Sequence, residues 1–110
     1  PVIHWLVPSL KFDESFHDFG LLKEGEVKEH TFVFTNSGDA NLVIRLATAG
    51  KDLKVKWPKE AVLPGKTGEV KVTFDSTDKQ GEYEVTIQMV TNAIPNVAEA
   101  RIRAFVKESE

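Results

Sequence analysis

Histidines, clustered carboxylates and an apolar N-terminal run are the features of this chain with the chemistry to act on another molecule. The three histidines are His4, His17 and His30. A zinc site needs three or four converging ligands. These histidines fall in separate segments, with no i, i+2 or i, i+4 spacing to put two imidazoles on one face. They therefore read as ordinary surface or strand-face residues, and no metal is expected. His30 shares a strand face with Phe32 and Phe34, which fits a partly buried, hydrogen-bonded imidazole.

The carboxylates are as plainly placed. Asp75-Ser76-Thr77-Asp78, followed by Glu82, looks like a fragment of a calcium loop. It lacks the alternating acids and the glutamate at the twelfth position that an EF-hand requires. A solvated hairpin tip is the expectation. Asp13 with Asp18, or Glu82 with Glu84, are carboxylate pairs in sequence only. Glycosidase chemistry needs two carboxyls facing each other across a cleft, one of them in an apolar pocket. Glu82 and Glu84 lie instead on the solvent side of a predicted strand. No serine sits in a nucleophile-elbow sequence, and cysteine is absent. The expectation is a domain that is not an enzyme and takes no cofactor.

Two distinctive motifs read as fold determinants. Asn36-Ser37-Gly38-Asp39 could cradle an anion, yet asparagine side chains close turns and glycine accepts positive φ, so a structural turn is expected. Phe16 and Phe19 read as core anchors that fix the first strand. The segment Pro1–Leu10 is different. It carries Val2, Ile3, Trp5, Leu6, Val7 and Leu10. Residues 1–11 are expected to form an N-terminal extension, either an added edge strand or a wrap around the domain. Otherwise Val2, Ile3, Trp5, Leu6 and Val7 form a candidate partner-binding strand, with Pro8 limiting its length.

The elements that must position these residues are strands. Leu53, Val55 and Trp57 alternate with lysines, and Val70, Val72 and Phe74 alternate with polar residues. Tyr83, Val85, Ile87 and Met89 repeat the pattern, as do Ala98, Ala100, Ile102, Ala104 and Val106. Period two over so many segments is the signature of half-buried strands. Val27–Thr35 and Leu42–Leu46 are apolar on both faces, which predicts central or covered strands, with Leu42, Ile44 and Leu46 sharing a face. Turn sequences separate the runs at Lys23–Glu26, Asn36–Asp39, Leu63–Lys66 and Asp78–Gly81. Pro64-Gly65 suits a type II turn. The pattern predicts an all-β, immunoglobulin-like antiparallel β-sandwich of about seven strands.

Composition bounds the rest. A chain of 110 residues fits a single domain, spanning 1–110. With 14 basic and 17 acidic residues interspersed, there is no footprint for nucleic acid. No apolar run approaches the roughly 20 residues of a membrane-spanning helix. A chain starting at Pro1 is expected to be a mature form or a trimmed piece, any signal peptide gone.

Read in order, Phe16-His17-Asp18-Phe19-Gly20, Lys23-Glu24-Gly25-Glu26, His30–Leu42, Trp57-Pro58, Leu63–Lys66, Val70–Phe74 and Thr91-Asn92-Ala93 resemble the bacterial domain of unknown function 1573. The resemblance covers about residues 12–106. It implies an immunoglobulin-like sandwich related to major sperm protein and ASH-type domains. It also implies export, often as a lipoprotein, from Bacteroidetes-type bacteria, with a periplasmic, cell-surface or secreted location. It implies no established activity. Family members often carry Cys-Gly-Cys after the third strand, where this chain reads Thr48-Ala49-Gly50-Lys51-Asp52. A redox or metal role tied to that element is therefore excluded.

The expected function is a non-catalytic interaction or structural domain of an exported bacterial protein, with a protein partner at an edge or an end loop. A carbohydrate-associated accessory domain or enzyme is the alternative, and Trp5, Trp57 and Tyr83 are its only large platforms for sugar stacking. A chaperone-like, strand-accepting domain is a third reading, by fold analogy.

Overall fold

The computed structural model describes residues 6–108. Eight strands run in chain order: β1 Leu10–Phe12, β2 Phe16–Lys23, β3 Val27–Asn36, β4 Ile44–Thr48, β5 Leu53–Lys56, β6 Thr67–Asp75, β7 Gly81–Thr91 and β8 Val97–Lys107. They form two four-stranded sheets, ordered β1-β3-β6-β5 and β2-β8-β7-β4. The result is the immunoglobulin-like sandwich that the alternation predicts.

The expected count of about seven becomes eight because the first strand is split. β1 pairs antiparallel with β3, and the Asp13 N–H still donates to the Val33 carbonyl at 2.9 Å. The chain then crosses to the other sheet, where the Arg101 N–H donates to the Ser15 carbonyl at 2.8 Å. From there β2 runs parallel to β8, so the sandwich is not wholly antiparallel. Packed sheets lie about 10 Å apart, and one straight strand cannot pair with both. Breaking it at Asp13–Ser15 lets it finish the edge of each.

The core fills the space between the sheets. Phe32, Phe34, Val70, Val72 and Phe74 come from the first sheet, and Leu22, Ile87, Met89, Ala100, Ile102, Ala104 and Val106 from the second. Apart from Leu22, these residues belong to the faces that the period-two pattern picked out. Burying one such large side chain stabilises the fold by about 1.5–3 kcal/mol. Trp57, Tyr83 and Phe19 pack against this core, as expected, but Phe16, expected to anchor it, is 43% exposed.

Three local expectations fail. The strand expected at Leu42–Leu46 is Ile44–Thr48, with Leu42 held by a separate bridge to Val62. A register shift between Ile44 and Leu46 turns Leu46 outward (47% exposed) and Ala47 inward (5%). A bulge sets two residues opposite one, so every later side chain changes face. β3 lies inside its sheet, as its two apolar faces predicted, but β4 is an outer strand. The turn expected at Asp78–Gly81 closes two residues earlier: the Lys79 N–H donates to the Ser76 carbonyl at 3.1 Å, and Asp78 holds the positive φ of 61°. The Pro64-Gly65 turn forms as expected, with the Lys66 N–H on the Leu63 carbonyl at 3.0 Å and Gly65 at φ 78°.

Candidate functional site

The loops at one end of the sandwich meet around Asn36, which is fully buried. Its amide nitrogen donates to the carbonyls of Ala40 at 2.8 Å and Val62 at 2.9 Å. Its side-chain oxygen accepts from the N–H groups of Gly38 at 3.0 Å and Ser9 at 3.2 Å. One side chain thus ties the β3–β4 loop, the β5–β6 loop and the N-terminal segment. Asn92 does the same for the β7–β8 loop, accepting from the Val43 N–H at 2.8 Å and donating to the Asn41 carbonyl at 3.1 Å. Asn36 closes the Asn36–Asp39 turn as its residue type predicts, but Gly38 does not take the expected positive φ.

The N-terminal segment docks on this turn as an edge. The Ser37 N–H donates to the Ser9 carbonyl and the Asp39 N–H to the Val7 carbonyl, both at 2.9 Å. Gly38 faces the docked backbone so closely that a Cβ there would meet the Val7 carbonyl oxygen, with Ser9 N at 2.7 Å and Pro8 C at 2.8 Å. Of the candidate partner-binding residues, Val2, Ile3 and Trp5 lie outside the described residues. Leu6 is 69% exposed and Val7 37%. Sequence reasoning missed two others at this end: Leu63 (55% exposed) on the β5–β6 loop and Ile94 (79%) on the β7–β8 loop. An apolar residue beside Pro in a turn, as in Leu63-Pro64 and Ile94-Pro95, was the available signal.

The carboxylates of Glu82 and Glu84 do not line a cleft. Glu82 and Glu84 lie outward, ion-paired to Arg103 at 3.4 Å and Arg101 at 3.3 Å. Asp18 accepts the Gly20 N–H at 2.8 Å, capping the bulge in β2. Asp75 accepts both the hydroxyl and the N–H of Thr77, at 2.7 and 3.0 Å. Those bonds, the hydroxyl first, hold its carboxyl below the usual value. It lines a cleft of about 300 Å³ with Lys51, Asp52, Lys54 and Lys79 at the opposite end of the sandwich. Among the described residues no three His, Asp or Glu gather as metal ligands. Trp57 is covered by Lys59, whose Nζ sits 3.4 Å from the ring centroid.

The histidines depart from expectation. His17 and His30, expected to stay apart, stack face to face with ring centroids 3.7 Å apart and planes 9° from parallel. His17 comes from β2 and His30 from β3, so the stack joins the two sheets. Phe19 and Phe32 meet them edge-on at 4.9 and 4.7 Å. Desolvation by burial, then the neighbouring His17, push the His30 imidazole below its ordinary value of 6.5, and Glu14 works against them. The alternation carried the signal: His17 is in phase with Phe19, and His30 with Phe32 and Phe34, so both imidazoles point inward from facing strands.

Residues 10–106 match the family model described as protein of unknown function (DUF1573). The chain belongs to the DUF1573 family. A comparison with curated proteins gave no match. Among solved structures, this DUF1573 domain is similar to a protein of unknown function from Porphyromonas gingivalis W83. The TM-score is 0.78 at 16% identity, covering 89% of this chain and 46% of that one. It is similar to the ASH/PapD-like domain 7 of human CEP192, with TM-score 0.73 and 11% identity over 100% of this chain and 93% of that one. It also resembles part of the secreted serine protease VesC from Vibrio cholerae, with TM-score 0.64 and 14% identity over 92% of this chain and 23% of that one. The chain thus spans about half of the Porphyromonas protein and under a quarter of VesC. At these identities the likeness is one of fold.

Proposed function

We propose that this DUF1573 domain is a non-catalytic interaction module of an exported bacterial protein, and that it meets a protein surface with its Asn36 end. One observation carries the reading. Leu6, Val7, Leu63 and Ile94, from three separate segments drawn to that end, leave their side chains in water. Single exposed apolar residues are ordinary, but several on loops tied at one end by Asn36 and Asn92 offer a partner apolar side chains on a fixed frame. Val2, Ile3 and Trp5, which precede Leu6 in the sequence, are apolar as well. Similar sandwiches form part of longer proteins, including a secreted protease, which supports a supporting role in an exported chain.

The test is site-specific photo-crosslinking in the source bacterium. A photoreactive side chain is placed at Leu6, Leu63 or Ile94, and at Lys54 and Lys56 as controls on an outer sheet face. Protein adducts from the first three positions and none from the lysines are expected. Equal adducts from all five positions, or adducts only from the lysines, would sink the proposal.

A further inference from the structure

The first half of β2 is attached to the domain in two ways. Backbone pairing holds Phe16, His17 and Asp18 to Arg101, Ile102 and Arg103 of β8. Rings hold it to the other sheet: His17 on His30 at 3.7 Å, and Phe19 on Phe74 at 6.2 Å. The backbone bonds are indifferent to mild acid. The imidazole stack is not, because histidine changes charge between about pH 5 and 8.

The groups around the stack decide what that charge does. Opposite His30 on β6 stands Val72, and opposite His17 on β8 stands Ile102; neither can neutralise a cation. Phe19 and Phe32 close the flanks with apolar ring edges. From the β1–β2 crossing, Asp13 and Glu14 line the cleft of about 230 Å³ beside His30. A single imidazolium there is tolerable, since it stacks on a neutral ring and faces these carboxylates. Two imidazoliums face to face at 3.7 Å repel each other across a half-buried contact.

We propose that the His17–His30 stack is an acid-sensitive latch. When both rings carry charge, the Phe16–Phe19 half of β2 parts from β3 and, left with its backbone bonds to β8 alone, frays from β8 as well, opening this side of the sandwich. Among the described residues, β3 is paired on this side only at Phe34–Asn36, by β1, with one further bond at Val33. Release exposes the inward rings of His30 and Phe32 on this flank, beside a stretch of β3 edge that no described strand pairs. Burial holds the His30 proton affinity below that of the unfolded chain, so protonation favours the open form and neutral pH the closed one.

Amide hydrogen exchange, corrected for its intrinsic pH dependence, tests this at about pH 7.5 and about pH 5. At the lower pH the Phe16–Phe19 amides should lose protection by about tenfold or more, with those of Ile87 and Ala100 unchanged. His30→Phe keeps a stacking ring without the charge and should abolish the acid effect. His17→Phe is the parallel variant, read in the same way should His30→Phe not fold. The proposal is overturned if β2 protection is equal at both pH values, if the acid effect survives in the folded variant, or if all strands loosen together.

Discussion

The buried amide of Asn36 donates to the carbonyl of Val62, 26 residues along the chain, at 2.9 Å. Val62 also exchanges two backbone bonds with Leu42. The end of β3, the approach to β4 and the approach to β6 are thus fixed by a single side chain and a single bridge. A buried polar group is stabilising only when its hydrogen bonds are complete, and Asn36 uses both its donor and its acceptor.

Replacing Asn36 should therefore cost far more than its size suggests. Asn36→Leu leaves the Ala40 carbonyl and the Ser9 and Gly38 N–H groups without this partner. A loss of about 3 kcal/mol is expected, from a lost bond or desolvation penalty at several groups. Asn36→Asp keeps the acceptor but turns a buried carboxylate oxygen against the Ala40 and Val62 carbonyls, so it should cost at least as much. Denaturant unfolding of the three proteins, compared at unchanged m, measures this.

Gly38→Ala should undock the N-terminal segment without harming the core. The new methyl meets the backbone of Val7, Pro8 and Ser9, which cannot move aside as a side-chain tip would. The expected cost is about 1–3 kcal/mol, the usual range for overpacking. Limited proteolysis separates the local effect from global unfolding. Cleavage should appear before Leu10 at conditions where the rest of the chain stays intact.

The bulge in β4 gives a contrast that sequence alternation reads backwards. Leu46→Ser should change stability by less than about 1 kcal/mol, because the side chain already faces water. Ala47→Leu should cost about 1–3 kcal/mol, because it forces a larger group into a filled core. Thermal unfolding of both variants decides it. The reverse ranking would place Leu46 inside and remove the bulge.

That contrast marks where the sequence was legible and where it was not. Val70, Val72 and Phe74 show their inward face in the letters alone, since period two survives along an unbroken strand. Arg45 carries no mark of a bulge, because the register shift is imposed by pairing with β7, 40 or more residues away. The split first strand is equally silent. Asp13–Ser15 reads as a loop, and only the spacing between two sheets makes it a crossing. The histidine stack was half legible: alternation turns both rings inward, but nothing local says that β2 and β3 bring them to the same level. At the Asn36 end, turn chemistry revealed the hub. The exposed Leu63 and Ile94 carried only the faint mark of an apolar residue beside proline, because an isolated apolar residue in a loop has no periodicity to expose it.

Acid should destabilise the domain in two stages. Three groups have folded proton affinities below their ordinary values: His30 below 6.5, Glu26 below 4.5 and Asp75 below 3.8. Burial dominates at His30, the hydrogen bond from the Lys23 N–H at Glu26, and that from the Thr77 hydroxyl at Asp75. In each case the unfolded chain binds the proton more tightly, so stability rises with pH through the window between the two values. The stabilisation is fully present above each ordinary value and is lost as pH falls through the lowered one. The unfolding temperature should stay level above neutral pH, fall first below 6.5, and fall again below 4.5 as the carboxylates take up protons. His30→Phe should remove the first fall and leave the second, which separates the imidazole from the carboxylates in one titration. Calorimetric scans of both proteins across this range are the measurement. A first fall that persists in the variant would assign it to a group other than His30.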